Sequence, residues 1–248
     1  MFERYVKSWF DKYIQNNKIL ILYGPRQSGK TTFLKHYISQ LENAILINCE
    51  APEFKGDLND YTASKLRMIF GSKKTIVLDE AQSIENIGNL LKFIYDEDAL
   101  NYKVIATGSS SFYLSNKVQE PLTGRNLVNY LFPLSFNEII ENHNYVWWKY
   151  HFEEILIYGS YPGIINLSIE EKKNHLFHLA SDYLYKDILS YERIRNSVVL
   201  TKLLKALAWQ VGAQVSYNEL AQNVGVSQPT VIKYLDLLEK SFVIFKLG

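Results

Sequence analysis

Tyr23-Gly24-Pro25-Arg26-Gln27-Ser28-Gly29-Lys30-Thr31-Thr32 is the stretch that decides how this chain is read. Gly24, four intervening residues and then Gly29-Lys30-Thr31 fit the phosphate-loop pattern G-x-x-x-x-G-K-[ST]. Each residue type answers a physical demand. A loop that wraps phosphates must turn successive backbone N–H groups inward, and glycine lets the backbone approach with no Cβ in the way. A helix beginning near Gly29 adds the positive end of its dipole. Lys30 is the expected counter-charge for the outer phosphates, and Thr31 the hydroxyl for Mg²⁺. Gly24, Pro25, Arg26, Gln27, Ser28, Gly29, Lys30, Thr31 and Thr32 are therefore the candidate nucleotide-binding residues.

The flanks supply the context the motif needs. Lys18 to Tyr23 is a short apolar run that reads as a strand, and Thr32 to Ile38 reads as a helix. Ahead of them Phe2, Tyr5, Val6, Trp9, Phe10, Tyr13 and Ile14 recur at helical spacing, predicting an amphipathic helix over 2–16. Ala44 to Asn48 reads as a second strand, and a polar stretch leads to one helix near 60–70.

Lys74-Thr75-Ile76-Val77-Leu78-Asp79-Glu80-Ala81-Gln82 then delivers two acids to the C-terminal end of a strand, where ligands sit in open α/β sheets. This is the Walker B pattern. Asp79 is the second candidate metal ligand beside Thr31, since Mg²⁺ takes oxygen donors. Glu80 is the candidate general base for an attacking water. A helix, a strand and a helix fit between Lys30 and Asp79, so the acids fall on the third strand. That order, with the adjacent glutamate and no N-K-x-D signature, points to the ATPase branch of phosphate-loop proteins rather than to GTPases or small-molecule kinases.

A helix is expected from Ile84 to about Glu97, then a fourth strand, Lys103 to Thr107, ending in Gly108-Ser109-Ser110-Ser111. Ser109, followed by Thr107 and Ser110, is the candidate to sit between the acids and the γ-phosphate. The alternative for any one of them is the cap of the next helix. Arg125, before a fifth strand Asn126 to Phe132, is either an arginine finger or cis sensor, or an ordinary strand-edge arginine. Arg26 is a weaker candidate for the same work.

Composition sets the remaining bounds. The 248 residues carry 47% hydrophobic and 21% charged side chains and a net charge of +1, which describes a globular protein with a sizeable core. No charge excess argues for nucleic acid or an anionic membrane. The single Cys49 cannot form an internal disulfide, which suits a reducing cytoplasm. No apolar run is long enough to span a bilayer, and Met1 to Tyr5 lacks a signal-peptide pattern, so the expected location is cytoplasmic. His175 and His178 share a helix face but have no second ligand pair, so they read as solvated or core-edge histidines. The 18 tyrosines and 13 phenylalanines are scattered without a basic stripe and read as packing residues.

G-P-R-Q-S-G-K-T-T, V-L-D-E-A-Q, A-T-G-S-S-S, L-T-G-R and P-L-S-F-N-E-I together resemble a prokaryotic family of AAA-like ATPases. That family is related to the archaeal ATPases and to the signal-transduction ATPases with numerous domains. Tyr158 to Gly163 and Tyr185 to Ile188 resemble its helical region, so the similarity runs across nearly the whole chain. The resemblance implies an α/β P-loop NTPase three-layer sandwich with a parallel sheet in the order 5-1-4-3-2. It implies ATP and Mg²⁺ as cofactors, a helical lid and a C-terminal winged helix. It also implies a further C-terminal nuclease-like domain of unknown function, which is expected to be missing here. The expected domains are an ATPase core over 1–134, a helical lid over 135–212 and a winged helix-turn-helix over 213–248.

In the lid, one helix is expected from Glu170 to Tyr191. A second, Val198 to Val211, presents Leu200, Leu203, Leu204, Leu207 and Val211 on one face. Arg193 and Arg195 are candidate sensors reaching the nucleotide. Ser216 to Glu239 reads as a helix-turn-helix, with Ser227 capping the second helix and Pro229 in its first turn. Gln228, Thr230 and Lys233 are the groove-facing candidates for duplex DNA. Residues 215–248 hold three Lys and three acids, so a protein-docking or internal role stands beside DNA reading. Ser241 to Gly248 reads as the first strand of a wing without its partner, the expectation for a shortened chain. An oligomer would be required if Arg125 acted on a neighbouring subunit.

Overall fold

Ile19–Tyr23 (β1) is apolar at all five positions and buried at all five, as a strand sandwiched between helical layers must be. The computed structural model describes residues 2–97, 100–109, 121–184 and 197–247. Ala44–Asn48 (β2), Thr75–Asp79 (β3), Lys103–Gly108 (β4) and Asn126–Tyr130 (β5) join β1 in one parallel sheet. The order is β2-β3-β4-β1-β5, which reads 5-1-4-3-2 from the other edge. Tyr23 pairs with Gly108 and Tyr130, Asn48 with Asp79, and Leu78 with Ala106. The C-terminal ends of β1, β3 and β4 therefore finish level, and all that follows them meets at one rim.

Val6–Tyr13 (α1) and Lys30–Ile38 (α2) cover one face of the sheet. Phe10 lies 5.3 Å from Phe33 and 5.2 Å from Tyr37, ring centre to ring centre, over Leu20, Leu22, Val77 and Ile105. This aromatic cluster anchors the helix whose first residue is Lys30.

Between β2 and β3 the structure has two helices, Pro52–Asn59 (α3) and Ala63–Phe70 (α4), where the sequence predicts one. Pro52 sits in a first turn that needs no N–H donor, and Thr62 restarts the helix by accepting the Lys65 amide. Ile87–Asp96 (α5) begins later than Ile84 because a 3₁₀ turn at Ala81–Ser83 intervenes. Phe136–Asn142 (α6) opens with a capping box between Ser135 and Glu138. Tyr145–Tyr158 (α7) and Ile169–His178 (α8) follow. The helix predicted to reach Tyr191 gives way to a π-helical turn at Leu179–Leu184, and the rest of its span lies outside the described residues.

The chain divides into two compact units, Met1–Lys172 and Lys173–Gly248. In the second, Ser197–Ala208 (α9), Tyr217–Val224 (α10) and Gln228–Lys240 (α11) surround Leu200, Leu203, Leu220, Val231, Leu235 and Leu238. Val211, expected on the same buried face, is exposed, because α9 stops at Ala208. Gly225 ends α10 at φ +80°, a conformation that suits glycine, and Ser227 caps α11 by accepting the Thr230 amide, with Pro229 in its first turn.

The tail departs from expectation. Residues 241–247 form no strand. Val243 and Ile244 instead pack against the helices, and the Val243 amide donates to the Leu238 carbonyl at 2.9 Å. No helix among the described residues is long and apolar enough to cross a membrane.

Candidate functional site

The loop after β1 is shaped by contacts that only its glycines allow. A Cβ on Gly24 would lie 2.1 Å from the Leu131 carbonyl oxygen, so no side chain fits there. Gln27 and Gly29 adopt φ of +62° and +95°. Pro25 and Ser28 are buried, Gln27 and Thr32 are exposed and Arg26 is intermediate. The Ser28 hydroxyl is buried with no hydrogen-bond partner, an orphaned polar atom inside the loop. Lys30 is 4% exposed, and its ammonium donates to the Gly24 and Pro25 carbonyls at 2.9 and 3.0 Å. A cation is thus folded over the loop's concave side.

The rim residues of β3 and β4 meet α2 beside that cation. Thr31 Oγ1 donates to Asp79 Oδ2 at 2.6 Å, and Thr107 Oγ1 donates to Asp79 Oδ1 at the same distance. Thr107 Oγ1 also accepts the Glu80 amide at 3.0 Å. Asp79 is 3% exposed and Thr107 fully buried, so this pairing is shielded from water. Glu80 turns out of the strand at φ +53°, a conformation that is strained for a residue with a side chain. Gln82 Nε2 donates to the Glu80 carboxylate and, at 3.2 Å, to Ser109 Oγ. The order at the rim is therefore Thr31, Asp79, Thr107, Glu80, Gln82, Ser109.

Thr31 and Asp79 fit a magnesium ion. They offer two hard oxygens within 2.6 Å of each other beside a buried ammonium. Mg²⁺ characteristically uses one or two protein oxygens and completes its shell with water and phosphate. No cluster of three or more His, Cys, Asp or Glu stands elsewhere among the described residues. Cys49 follows β2 next to this rim, its amide donating to the Asp79 carbonyl at 2.9 Å. Burial, and then the Asp79, Glu80 and Glu50 carboxylates, push its thiol up to about 12.

Other sequence candidates lie elsewhere. Arg125 immediately precedes the N-terminal end of β5, where Asn126 pairs with Ile19, the first residue of β1. The phosphate loop follows the opposite end of β1, so the length of a strand separates Arg125 from the loop of its own chain. Its guanidinium instead takes Asp96 at 2.8 and 3.2 Å, an exposed ion pair. The structure does not bring it to the acids, because parallel register fixes it at the far rim. Ser110, Arg193 and Arg195 lie outside the described residues. In the second unit Gln228 and Lys233 are exposed at the start of α11, and Thr230 is half-buried with its hydroxyl 2.8 Å from Ser227 Oγ.

Two residues at the site escaped the sequence reading. Gln82 stands in the sequence only as the end of the strand-end stretch, although its two-residue offset from Glu80 is a usable signal. Arg4 gave no signal at all. It is 7% exposed and donates to the Ser28 carbonyl at 2.8 Å, to the Phe132 carbonyl and to Glu138 Oε1 at 3.1 Å. Burial pushes the Glu138 carboxyl up, but the Ser135 and Tyr5 amides and the Arg4 charge outweigh it and hold it below the usual carboxylate range.

A family model described as "AAA domain" matches residues 16–140. The chain belongs to this AAA family. A second family model, "Domain of unknown function (DUF8612)", matches residues 149–248. Uncharacterized protein MJ1544 of Methanocaldococcus jannaschii is 27% identical, over 94% of this chain and 57% of its own length. An uncharacterized protein of Haemophilus influenzae is 26% identical, over 92% of this chain and 62% of its own. The chain thus spans about three-fifths of the length of these relatives. Among solved structures, the Walker-type ATPase PABY2304 of Pyrococcus abyssi superposes with a TM-score of 0.64 and 16% identity. The match covers 97% of this chain and 90% of that one, a likeness of fold.

Proposed function

We propose that this chain binds ATP in the loop Gly24–Thr32 and hydrolyses it to ADP and phosphate, using the cycle as a conformational switch. The observation that best supports this reading is the meeting of Lys30, Thr31, Asp79, Thr107 and Glu80 at one rim of the sheet. Lys30 offsets phosphate charge, and Thr31 and Asp79 hold Mg²⁺, which when bound neutralises charge developing on the phosphate oxygens. Thr107 fixes the Asp79 carboxylate and the Glu80 backbone. Glu80 accepts the proton of the attacking water, and Ser109 acts on it through Gln82.

Steady-state phosphate release from ATP with Mg²⁺ tests the reading. Lys30→Ala is expected to abolish release together with nucleotide binding. Glu80→Gln is expected to keep binding and lower turnover at least about tenfold, the lower part of what a general base contributes. Unchanged turnover in Glu80→Gln rejects Glu80 as the base.

One observation favours a second reading, a nucleotide-gated regulator or scaffold with negligible hydrolysis. The Glu80 carboxylate is held by the Gln82 amide, away from service as a base. Under either reading the output is the C-terminal unit, with Gln228, Thr230 and Lys233 presented to duplex DNA or a protein partner in a reducing cytoplasm. Binding to duplex DNA that weakens steeply with salt and responds to ATP supports DNA as the partner; flat, weak binding points to protein. Arg125 fits this scheme as a finger offered to a neighbouring subunit.

A further inference from the structure

We infer that Arg4 is a positioning residue of the phosphate loop: by holding the Ser28 carbonyl it orients the Ser28–Gly29 peptide and aims the Gly29 N–H at the bound phosphate. The inference rests on the nucleotide-binding reading above. It begins with peptide geometry. In a planar trans peptide the C=O and the following N–H point in opposite directions, and no cis peptide bond occurs among the described residues. Arg4 Nη1 draws the Ser28 oxygen to itself at 2.8 Å, so the Gly29 N–H faces away from Arg4. That N–H donates to no backbone carbonyl among the described residues.

The peptide needs such a hold. Gly29 sits at φ +95° and has no Cβ to favour one orientation of the peptide before it. Rotation of that peptide would bring the carbonyl oxygen round to where the amide should be, replacing a donor to phosphate with an acceptor that repels it. Turn types I and II differ by just such a rotation of the central peptide, and the second needs glycine at its positive-φ position. A guanidinium bound to the carbonyl removes the second orientation.

Arg4 is fixed in turn. Its planar fork spans three acceptors: the Ser28 and Phe132 carbonyls and Glu138 Oε1. Glu138 accepts the Tyr5 amide on Oε1 at 2.9 Å, and the Ser135 amide and hydroxyl on Oε2 at 2.9 and 3.1 Å. The stretch Pro133-Leu134-Ser135-Phe136-Asn137-Glu138 thereby acquires a task, since its capping box presents a carboxylate to the arginine that orients the loop. Lysine keeps the charge but cannot span three acceptors in one plane.

Calorimetric titration of MgADP and of pyrophosphate onto the full chain tests this, below the unfolding midpoint of every variant. The panel is Arg4→Ala, Arg4→Lys, Glu138→Gln and, as a control, Phe70→Leu, which loosens the core against Tyr102, away from the loop. Affinity for both ligands is expected to fall about tenfold or more in the two Arg4 variants, the scale of losing a hydrogen bond to a charged group. A smaller fall is expected in Glu138→Gln, and none in Phe70→Leu even where its midpoint drops as far. If Arg4→Ala does not fold, Arg4→Lys and Glu138→Gln still decide. Lower midpoints with undiminished affinity in the Arg4 and Glu138 variants overturn the inference and leave a structural ion pair. An unmodified chain that binds neither ligand overturns the nucleotide reading, and the inference with it.

Discussion

In Met1–Lys172 the side chains that shape the rim reach far along the sequence: Arg4 to Glu138, Thr31 to Asp79, Thr107 back to Asp79. In Lys173–Gly248 polar pairs such as Ser216 with Glu219, Ser227 with Thr230 and Lys240 with Asp236 lie within one helical turn. The first unit fixes chemistry by bringing distant strands level, so a small displacement anywhere in the sheet moves several functional groups at once. The second, among its described residues, ties down helix ends and packs a hydrophobic cluster. One region places a few distant polar atoms exactly, the other packs locally capped helices.

The contrast is broken most directly at two glycines. Gly24→Ala is expected to cost about 3 kcal/mol or more and to abolish nucleotide binding, because its Cβ would collide with the Leu131 carbonyl, a backbone atom. Thermal unfolding and ADP titration read both effects. Gly225→Ala, at φ +80° but with open space around it, is expected to cost only about 1 kcal/mol and leave ADP affinity unchanged. Equal penalties would show that the loop is no more exacting than the turn.

Leu238→Ala sharpens the comparison from the other side. Leu238 is fully buried in the second cluster, so truncation is expected to destabilise that unit by about 2–5 kcal/mol. ADP affinity should not change. A parallel loss of binding would mean that the loop depends on the C-terminal cluster.

The smallest effect concerns pH. The Cys49 thiol is raised to about 12 by burial and nearby carboxylates, whereas an unfolded thiol ionises near its ordinary value of about 9. The unfolded chain therefore sheds its proton first as pH rises. Stability from this group is complete below about pH 9 and is lost progressively towards pH 12, by about 0.8 kcal/mol at pH 9.5. Comparing denaturant midpoints of the unmodified chain and Cys49→Ala between pH 7 and 9.5 isolates it. An identical pH slope in the two proteins refutes the shift.

The sequence made the loop, the five strands and the two acids on the third strand readable, because each is a local pattern with a spacing that topology constrains. The helix cap at Ser227 was readable for the same reason. Side-chain partners were not. Thr107 rather than Ser109 meets Asp79 because β3 and β4 pair in a register no local pattern states. The sequence left Arg125 open between a finger or cis sensor and a strand-edge arginine, and parallel pairing places it at the rim opposite the loop. The wing strand failed as an expectation because a strand is defined by its neighbour. Pro52, read as part of a polar stretch, begins a helix because only its first turn tolerates a missing N–H.

The position of α1 bears on where a working fragment can start. The matched AAA domain begins at residue 16, after Phe10 and after Arg4. A protein trimmed to residues 16–140 keeps every residue of the phosphate loop and both strand-end acids, yet it uncovers Phe33 and Tyr37, which Phe10 seals. Such a fragment would show a complete motif on a sticky, poorly anchored helix. The smallest autonomous piece of this fold is therefore longer at its front than the recognisable domain, and expression boundaries should be drawn from the packing of Phe10 rather than from the motif.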